Sequence, residues 1–475
     1  MKKILLWLLA AIVLIVAVLL FNTFRFTSRQ VEPEAIQEIT FSDQIYQNLS
    51  KAIQFKTISF SEEVEPDSAE FFGFHRFLEA TYPLVHQNLT LTKINTFSLL
   101  YQWTGTDPSM KPIIFMSHQD VVPVDEPTIS QWEAPPFSGA ITETDIIGRG
   151  TLDDKGTLLG VFEAIEKLIS EGYGPKRTIY IASGHDEEIG GAKGAKLIAE
   201  HLEAKGVKAA MAIDEGGFLS EGLVSEIEPT IAVINLSEKG YASFKLSVET
   251  RGGHSSAPPH ENTIGILAKA IVDLEENQRP YKMVDPLDDQ LEFLGPELPF
   301  IGKMVFANPW LFERFILEGL NAHTTTAPTI IGGGVKDNVI PTVAEATVNF
   351  RILPGETVES VQKHIEETVS DKVKVEQKGF ATNPSPVSGI DSEAFQILQK
   401  TITNQFPESV VVPGMIGGGT DARYFYGIAD DVYRFYPIRM DSIAMTRFHG
   451  IDEKISKENY REVVEFCYHL IKNFN

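Results

Sequence analysis

The chain has 475 residues, 43% of them hydrophobic and 22% charged, which is an ordinary globular composition in a chain too long for one compact core. Its formal net charge of -24 repels phosphate backbones, which argues against nucleic acid as a partner. Its single cysteine, Cys467, excludes an internal disulfide and a cysteine-rich zinc site, so His, Asp and Glu remain as metal ligands.

Near the N-terminus, Lys2 and Lys3 precede an uninterrupted apolar run from Ile4 to Phe21. As a helix this run would reach about 27 Å, near the hydrocarbon thickness of a bilayer. No small-x-small cleavage site follows it, so residues 1–30 are predicted to be an uncleaved anchor; a cleaved signal peptide and a secreted protein are the alternative. The lysines favour a cytoplasmic N-terminus with the catalytic part exported, whereas Arg25 and Arg29 argue the other way.

Three short apolar runs after the anchor, at residues 113–116, 178–182 and 209–213, have the pattern of buried parallel strands. A helical pattern at residues 157–170 separates the first two. This alternation predicts an α/β fold with a mostly parallel sheet and helices on both faces, whose sites form beyond the carboxyl ends of the strands. We assign residues 36–237 and 381–475 to this catalytic domain.

The pattern changes between residues 238 and 380. Successive segments there are a strand at 242–249, a helix at 264–274, strands at 325–331 and 345–352, and a helix at 358–369. They predict an inserted α+β lid domain of ferredoxin-like type. The Pro- and Phe-rich stretch 279–320 is predicted to be a helical addition to it; its apolar residues suit either a lipid tail or an ordinary lid core.

Each of the three predicted strands is followed at once by polar residues. The clusters are Ser117-His118-Gln119-Asp120, Gly184-His185-Asp186-Glu187-Glu188 and Asp214-Glu215-Gly216-Gly217. Any one of them could be a solvated loop, but together they converge on one edge of a parallel sheet. A glycine-rich turn containing Asp153 precedes the predicted helix at 157, where Asp153 or Asp154 could also be a helix N-cap.

Two zinc ions close together need a bridging carboxylate, with one His and one further carboxylate for each ion, and the clusters offer that inventory. Glu187, beside Glu188, can act as general base toward the attacking water. Asp120, two residues after His118, can hold the imidazole in the tautomer that ligates through its other nitrogen, or it is a simple turn residue.

These motifs, followed by Gly252-Gly253-His254-Ser255-Ser256 and a late His, resemble the aminoacylase and carboxypeptidase S family of metallopeptidases. The most specific stretches are residues 132–139, 150–155, 184–188 and 254–259. The resemblance extends over nearly all of the chain from about Glu38 onward. Within the family it is greatest to Gly-X carboxypeptidases and to enzymes that make and hydrolyse N-fatty-acyl amino acids.

The resemblance implies two zinc ions per subunit, with Co or Mn as other possible metals. The implied ligands are His118, Asp153 as the bridge, Glu188, His449, and either Glu215 or Asp214. Glu215 is preferred because relatives use the acid that directly precedes the glycine. Only the resemblance singles out His449, which would otherwise be an ordinary late His on a loop.

The resemblance also implies residues that face the substrate. His254 would polarise the scissile carbonyl, and the positions expected to contact substrate are Asn338, Arg351, Gly418, Thr420 and Arg423. From the residues alone, Asn338 is equally a turn cap and Arg351 a solvated strand end. The resemblance allows a homodimer through the lid domain, since in several relatives the lid His and Asn act across such an interface.

The main functional hypothesis is zinc-dependent hydrolysis of the amide bond in N-acyl amino acids, including N-fatty-acyl amino acids, or in small peptides with a free C-terminal carboxylate. The reverse condensation would use the same groups. The alternative is a catalytically silent, membrane-anchored binding protein on the same fold, which the complete set of site residues disfavours. Phosphoester hydrolysis is disfavoured by the acidic charge and by the lack of a basic phosphate clamp.

Overall fold

The computed structural model describes residues 2–222 and 229–474. The helices are α1 (Lys2–Arg25), α2 (Gln44–Ile53), α3 (Ser68–Thr81), α4 (Pro83–Asn88), α5 (Lys155–Ser170), α6 (Ala195–Ala204), α7 (Thr263–Glu276), α8 (Asp285–Leu294), α9 (Phe300–Phe306), α10 (Pro309–Gly319), α11 (Val358–Thr368), α12 (Glu393–Gln405), α13 (Ala444–Arg447) and α14 (Lys457–Asn473). The strands are β1 (Thr90–Ile94), β2 (Ser98–Trp103), β3 (Ile113–Met116), β4 (Ala140–Ile141), β5 (Asp145–Ile147), β6 (Ile179–Ser183), β7 (Ala209–Asp214), β8 (Phe218–Ser220), β9 (Ile231–Glu238), β10 (Gly240–Glu249), β11 (Gly253–His254), β12 (Thr325–Gly333), β13 (Val339–Ile340), β14 (Val343–Ile352), β15 (Lys374–Thr382), β16 (Val410–Ile416), β17 (Ala429–Arg434), β18 (Arg439–Met440) and β19 (Lys454–Ser456).

The larger sheet has ten strands in the order β1-β2-β6-β3-β7-β17-β9-β8-β18, with β16 paired to β9. Strands β6, β3, β7 and β17 run parallel at its centre, whereas β1 and β2 extend it by antiparallel pairing. Every residue of β3 and β6 is buried, as expected for strands covered on both faces. The predicted α/β class with a mostly parallel sheet is confirmed.

Two helices show how this sheet is covered. Helix α5 is buried along most of its length, and α14 packs against it through Val463, which lies so close to Gly160 that an added Cβ there would be 2.9 Å from its side chain. A helix buried on nearly every side is typical of the interior of a large domain. These two helices therefore fix the loop that precedes α5, which contains Asp153.

The smaller sheet is antiparallel, in the order β12-β14-β10-β15, and lies in the chain between the strands of the larger one. Its core includes residues of α7 and α11, such as Leu267, Leu274 and Ile365, packed with Phe244 and Phe350. The chain order strand-helix-strand-strand-helix-strand is that of the ferredoxin-like fold. The proposed domain boundaries stay a prediction.

The stretch that leads from α7 to β12 forms α8, α9 and α10. Leu294 on α8 and Phe306 on α9 belong to an apolar cluster with Val410 and Val412 of β16. Helix α1 is the one helix among the described residues long and apolar enough to cross a membrane, with a mean hydropathy of 3.3 over its most apolar stretch. The body of this helix is exposed along that stretch, and only its last turns contact the rest of the protein.

Candidate metal centre

The candidate site lies at the carboxyl edge of the larger sheet. His118 follows β3, Glu187 and Glu188 follow β6, and Glu215 follows β7. Because β6, β3 and β7 are adjacent and parallel, their carboxyl ends meet at one edge and bring these side chains together. Asp153 enters from the loop before α5.

The Asp153 carboxylate lies between two imidazoles. Its Oδ1 is 2.8 Å from His118 Nε2 and its Oδ2 is 2.7 Å from His449 Nε2. Each oxygen therefore faces a different histidine, which is the geometry of a carboxylate that bridges two cations.

One further acid accompanies each histidine. Glu215 Oε1 is 3.5 Å from His118 Nε2, and Glu188 Oε2 is 3.3 Å from His449 Nε2. Two groups have potential ligand atoms that all lie within 4.8 Å of one another: His118, Glu187 and Glu215, and His118, Asp153 and Glu188.

Burial makes this cluster electrostatically unfavourable without cations. It raises the pKa of Glu215 to about 8 and that of Glu188 to about 7, and raises the pKa of Glu187 well above its ordinary value. Hydrogen bonds to Asp153 and Glu188 raise the pKa of His449 to about 10. A concentration of buried carboxylates with so few cationic partners fits a site that holds divalent metal ions.

Asp120 connects two of the strand ends. The backbone carbonyl of Asp120 accepts a hydrogen bond from His118 Nδ1 at 3.0 Å, and its carboxylate lies 3.3 Å from the same nitrogen. The carboxylate also accepts from the backbone N–H groups of Glu187 at 3.2 Å and Glu188 at 3.3 Å. Asp120 thus holds His118 in the tautomer that leaves Nε2 free to ligate, and it orders the loop after β6.

The two acids at the end of β7 have different surroundings. Asp214 is buried, and its Oδ2 accepts from the backbone N–H of Ala422 at 2.8 Å. Glu215, by contrast, faces His118. The geometry therefore favours Glu215 as the ligand and gives Asp214 a part in holding the loop that contains Ala422.

Two residues that sequence reasoning left without a role tie the site together. Arg149 Nη1 contacts Glu453 Oε2 at 2.5 Å, and both side chains are buried. Glu453 Oε1 also accepts from the backbone N–H groups of Gly150 and Leu152, each at 2.9 Å, while Arg149 donates to the carbonyl of His449 at 3.0 Å. This pair therefore joins the loop of Asp153 to the loop of His449.

The backbone around His449 is unusual. His449 has a φ of 58°, in the left-handed region that non-glycine residues rarely adopt. The next residue, Gly450, approaches the carbonyl oxygen of Thr446 so closely that a Cβ would lie 2.1 Å from it. Such strain persists only where surrounding contacts impose it, and here Arg149 and Glu453 supply those contacts.

His254 and Asn338 lie together but apart from the cluster. His254 is on β11, which pairs with β13, and Ser255 donates through its backbone N–H to the carbonyl of Asn338 at 3.2 Å. His254 Nδ1 accepts from Ser256 Oγ at 2.8 Å, and the His254 side chain is exposed. No hydrogen bond or ion pair within residues 2–222 and 229–474 joins either side chain to the His118 cluster.

Arg351 and the glycine-rich loop with Gly418 meet at the junction of the two sheets. Arg351, on β14, donates to the carbonyl of Gly417 at 2.9 Å and lies over the ring of Tyr241 at 4.9 Å. The predicted carboxylate-binding arginine thus stands beside the predicted loop.

Thr420 and Arg423, at the far end of this loop, have different partners. Thr420 Oγ1 donates to Glu238 at 2.8 Å and is buried, so it already has a structural role. Arg423 Nη2 lies 3.8 Å from Glu187 Oε1, which places a guanidinium beside the candidate general base.

A cavity of about 440 Å³ opens beside Glu215. Its lining is mostly apolar and includes Val233, Met415, Tyr436, Met440 and Phe448. Apolar pockets with a few polar groups at one end are typical of small-molecule sites. The arrangement can therefore hold an apolar group next to the cluster.

Comparison with known proteins gives consistent results. The model of peptidase family M20/M25/M40 matches residues 114–473. The chain is 40% identical to "Probable carboxypeptidase S-like 2" of Dictyostelium discoideum over 97% of this chain and 92% of that protein. It is 39% identical to N-fatty-acyl-amino acid synthase/hydrolase PM20D1 of Mus musculus over 90% of this chain and 87% of that protein.

Solved structures show the same fold. The M20 family metallo-carboxypeptidase Sso-CP2 from Sulfolobus solfataricus is similar with a TM-score of 0.69 and 20% identity, over 91% of this chain and 99% of that chain. Human carnosine dipeptidase 1 gives a TM-score of 0.63 and 17% identity, over 91% of this chain and 96% of that one. At these identities the likeness shows the fold alone.

Proposed function

The chain belongs to peptidase family M20/M25/M40, whose members are metal-dependent, and we propose that it hydrolyses the amide bond of N-acyl amino acids or small peptides with a free carboxylate. The observation that carries the proposal is the Asp153 carboxylate, with one oxygen toward His118 and the other toward His449.

We propose that two zinc ions bind at this carboxylate. His118 and Glu215 would hold one ion, His449 and Glu188 the other, and Asp153 would bridge them, in keeping with the two histidine–carboxylate pairs. When bound, zinc supplies Lewis-acid chemistry that polarises a carbonyl and lowers the pKa of water to about 7. Cobalt or manganese would suit the same donors.

Glu187 is proposed as the general base and acid. Its carboxylate lies within 4.8 Å of the potential ligand atoms of His118 and Glu215 and 3.8 Å from Arg423 Nη2, and it is not needed as a ligand in the proposed set. It would take a proton from the attacking water and deliver it to the amide nitrogen as the carbon–nitrogen bond breaks. The same residue, acting in the opposite order, would serve condensation of an acid with an amino acid, since a catalyst accelerates both directions.

The remaining candidates are proposed to bind the substrate. Arg351 and Arg423 are the guanidinium groups suited to the α-carboxylate, and Gly418 lies in the loop between Gly417, which Arg351 contacts, and Arg423. His254 would donate a hydrogen bond to the scissile carbonyl of the substrate. Asn338, next to His254, would orient that carbonyl.

The cavity beside Glu215 is proposed to hold the acyl part of the substrate. Its apolar lining suits a hydrocarbon chain, and the name of the mouse relative, N-fatty-acyl-amino acid synthase/hydrolase, supports a lipid acyl group. The carboxypeptidase S-like relative supports peptides as the second substrate class.

We further propose that α1 anchors the protein in a membrane with the N-terminus cytoplasmic and the catalytic part exported. The length and hydropathy of α1 support this, as do Lys2 and Lys3 at its start. Cleavage of the segment and secretion is the alternative, and N-terminal sequencing of the mature protein distinguishes the two.

The test is release of free amino acid by the full-length protein in detergent, from N-acyl amino acids of increasing chain length and from Gly-X dipeptides. We expect turnover that a chelator abolishes and added zinc restores, and that Glu187→Gln lacks. Absence of turnover with about two zinc ions bound per chain would contradict the proposal. It would favour the catalytically silent binding protein instead.

A further inference from the structure

Helix α1 is fixed to the protein body at its C-terminal end. Asn22 donates to Asn308 Oδ1 at 2.8 Å, and Asn308 Nδ2 lies 3.3 Å from the carbonyl of Leu19. Phe26 packs on Gly295, where a Cβ would be 2.5 Å from the ring. These contacts tie the last turns of α1 to α8 and α9.

The segment after α1 is held in the same way. Gln30 exchanges hydrogen bonds with the backbone of Val411 at 2.9 Å in both directions, and Arg29 forms an ion pair with Glu292. A flexible tether would not make these contacts. The orientation of the protein body relative to α1 is therefore defined.

This attachment fixes the depth of α9 and α10 relative to a bilayer. The apolar run of α1 ends at Phe21, and Leu19, which Asn308 contacts, lies about 3 Å inside that end along the helix axis. Asn308 connects α9 to α10. With α1 spanning a bilayer as proposed above, the connection between α9 and α10 therefore lies at the level where the hydrocarbon meets the headgroups.

At this level the protein exposes large apolar side chains, which we call the docking face: Phe300, Ile301, Trp310, Leu311 and Phe315. Ile301 is 71% exposed and Phe315 69%. Phe300 also contacts Phe24 of α1, with ring centroids 6.4 Å apart, so the face is continuous with the anchor. Soluble proteins rarely concentrate exposed large apolar side chains on two consecutive helices without a partner.

We propose that the docking face inserts into the interfacial region of a phospholipid bilayer; this inference rests on the anchoring of α1 in that bilayer proposed above. Tryptophan is enriched at that depth, and Trp310 Nε1 already has a polar partner in Asn308 Oδ1 at 3.2 Å. Arg314 and Glu318, on the same side of α10, form an ion pair at 2.8 Å, and their long side chains can reach the headgroups. Because the chain has a net charge of -24, insertion depends on burial of the apolar side chains and not on attraction to anionic lipid.

The full-length protein in phosphatidylcholine nanodiscs offers a direct test. The one native cysteine, Cys467, is fully buried, so a cysteine introduced by Leu311→Cys or Phe315→Cys can be labelled alone with an environment-sensitive fluorophore. Val335→Cys is the matched control, because Val335 is an exposed apolar residue, 94% accessible, outside the docking face. Nitroxide-labelled lipids then report contact with the acyl region.

We expect labels at 311 and 315 to emit at shorter wavelength and to be quenched several-fold more strongly than the label at 335. Adding Ile301→Asp to the Leu311→Cys protein should reduce that quenching, while α1 still holds the chain in the disc. Equal, water-like emission at all three positions would overturn the proposal. So would quenching at 311 that Ile301→Asp leaves unchanged, because it would show proximity without insertion. Neither result bears on the proposed hydrolase activity.

Discussion

The metal centre and the ribbon that carries His254 are built in opposite ways. His118 and Asp153 are buried and are held by hydrogen bonds from several segments of the chain. His254 and Asn338 are exposed and are held mainly by contacts within their own two-stranded ribbon. The comparison teaches that the groups proposed for proton transfer and metal binding are preorganised, whereas the groups proposed to bind the carbonyl belong to a separate unit whose loss should leave the candidate centre intact.

The largest effect is expected from Glu187→Gln, which removes the proposed proton carrier from the buried candidate metal centre. The kcat for hydrolysis should fall by about 10²–10⁴-fold, while the zinc content stays unchanged because the ligands remain. Steady-state kinetics and metal analysis by mass spectrometry check both. Glu62→Gln, on an exposed loop, serves as the control. A variant that loses zinc together with activity would show that Glu187 is a ligand.

His254→Ala tests the other side of the comparison. The kcat should fall by about 10²–10³-fold through loss of a carbonyl hydrogen bond. Zinc content and thermal stability should not change, because His254 does not contact the cluster within the described residues. His260→Ala, exposed on the same segment, is the matched control. A kcat equal to wild type would remove His254 from the mechanism.

Glu453→Gln tests whether the buried pair of Arg149 and Glu453 holds the proposed metal ligands in place. Zinc affinity should fall by about 10–100-fold, since Glu453 orders the loops of both Asp153 and His449. Removing one charge of the buried pair with Arg149 should also destabilise the fold by about 3–5 kcal/mol.

Glu133→Gln is the control for that experiment, because the pair of Glu133 with Lys454 is at the surface and should contribute at most about 1 kcal/mol. Zinc titration and denaturant unfolding provide the measurements. Equal effects from the two variants would mean that the buried pair does not position the site.

Arg351→Met should have the smallest effect. Arg351 lies at the junction of the larger and the smaller sheet. KM for substrates with a free carboxylate should rise about tenfold, the worth of one hydrogen bond to a charged group. Substrates with an amidated C-terminus should be unaffected. Arg251→Met, an exposed arginine on the same domain, is the control. An identical KM increase for both substrate forms would assign Arg351 a structural role through Gly417.

Much of the central architecture could be predicted because its signals are local. The strand predicted at 113–116 has the observed bounds, and the helices predicted at 157–170 and 264–274 differ from the observed ones only at their ends. Buried strands give continuous apolar runs, and polar residues directly after them mark the edge where His118 lies. The ligand set derived from the resemblance stays a prediction, although the geometry brings its members together.

What could not be predicted depends on distant contacts or weak patterns. Strand β15, which completes the smaller sheet, is largely exposed and has no clear apolar alternation, so no signal marked it. The pairing of Arg149 with Glu453 joins residues roughly 300 positions apart, and neither residue has a local feature that shows its partner. The antiparallel strands β1 and β2 at the edge of the larger sheet were also missed. Strand β1 has no buried residue and Gln102 interrupts the apolar run of β2, so neither has the continuous apolar pattern of β3.

The place of β17 in the larger sheet bears on how the protein is made. This strand lies between β7 and β9 although it is synthesised long after both. Until residues 429–434 have been synthesised, the edge of β7 that pairs with β17 stays unpaired. This edge lies in the middle of the finished sheet. Unpaired edges of this kind template aggregation, so the growing chain must be protected until nearly all of it has been synthesised. Shortening the chain before Ala429 therefore removes the centre of the fold and not merely its end.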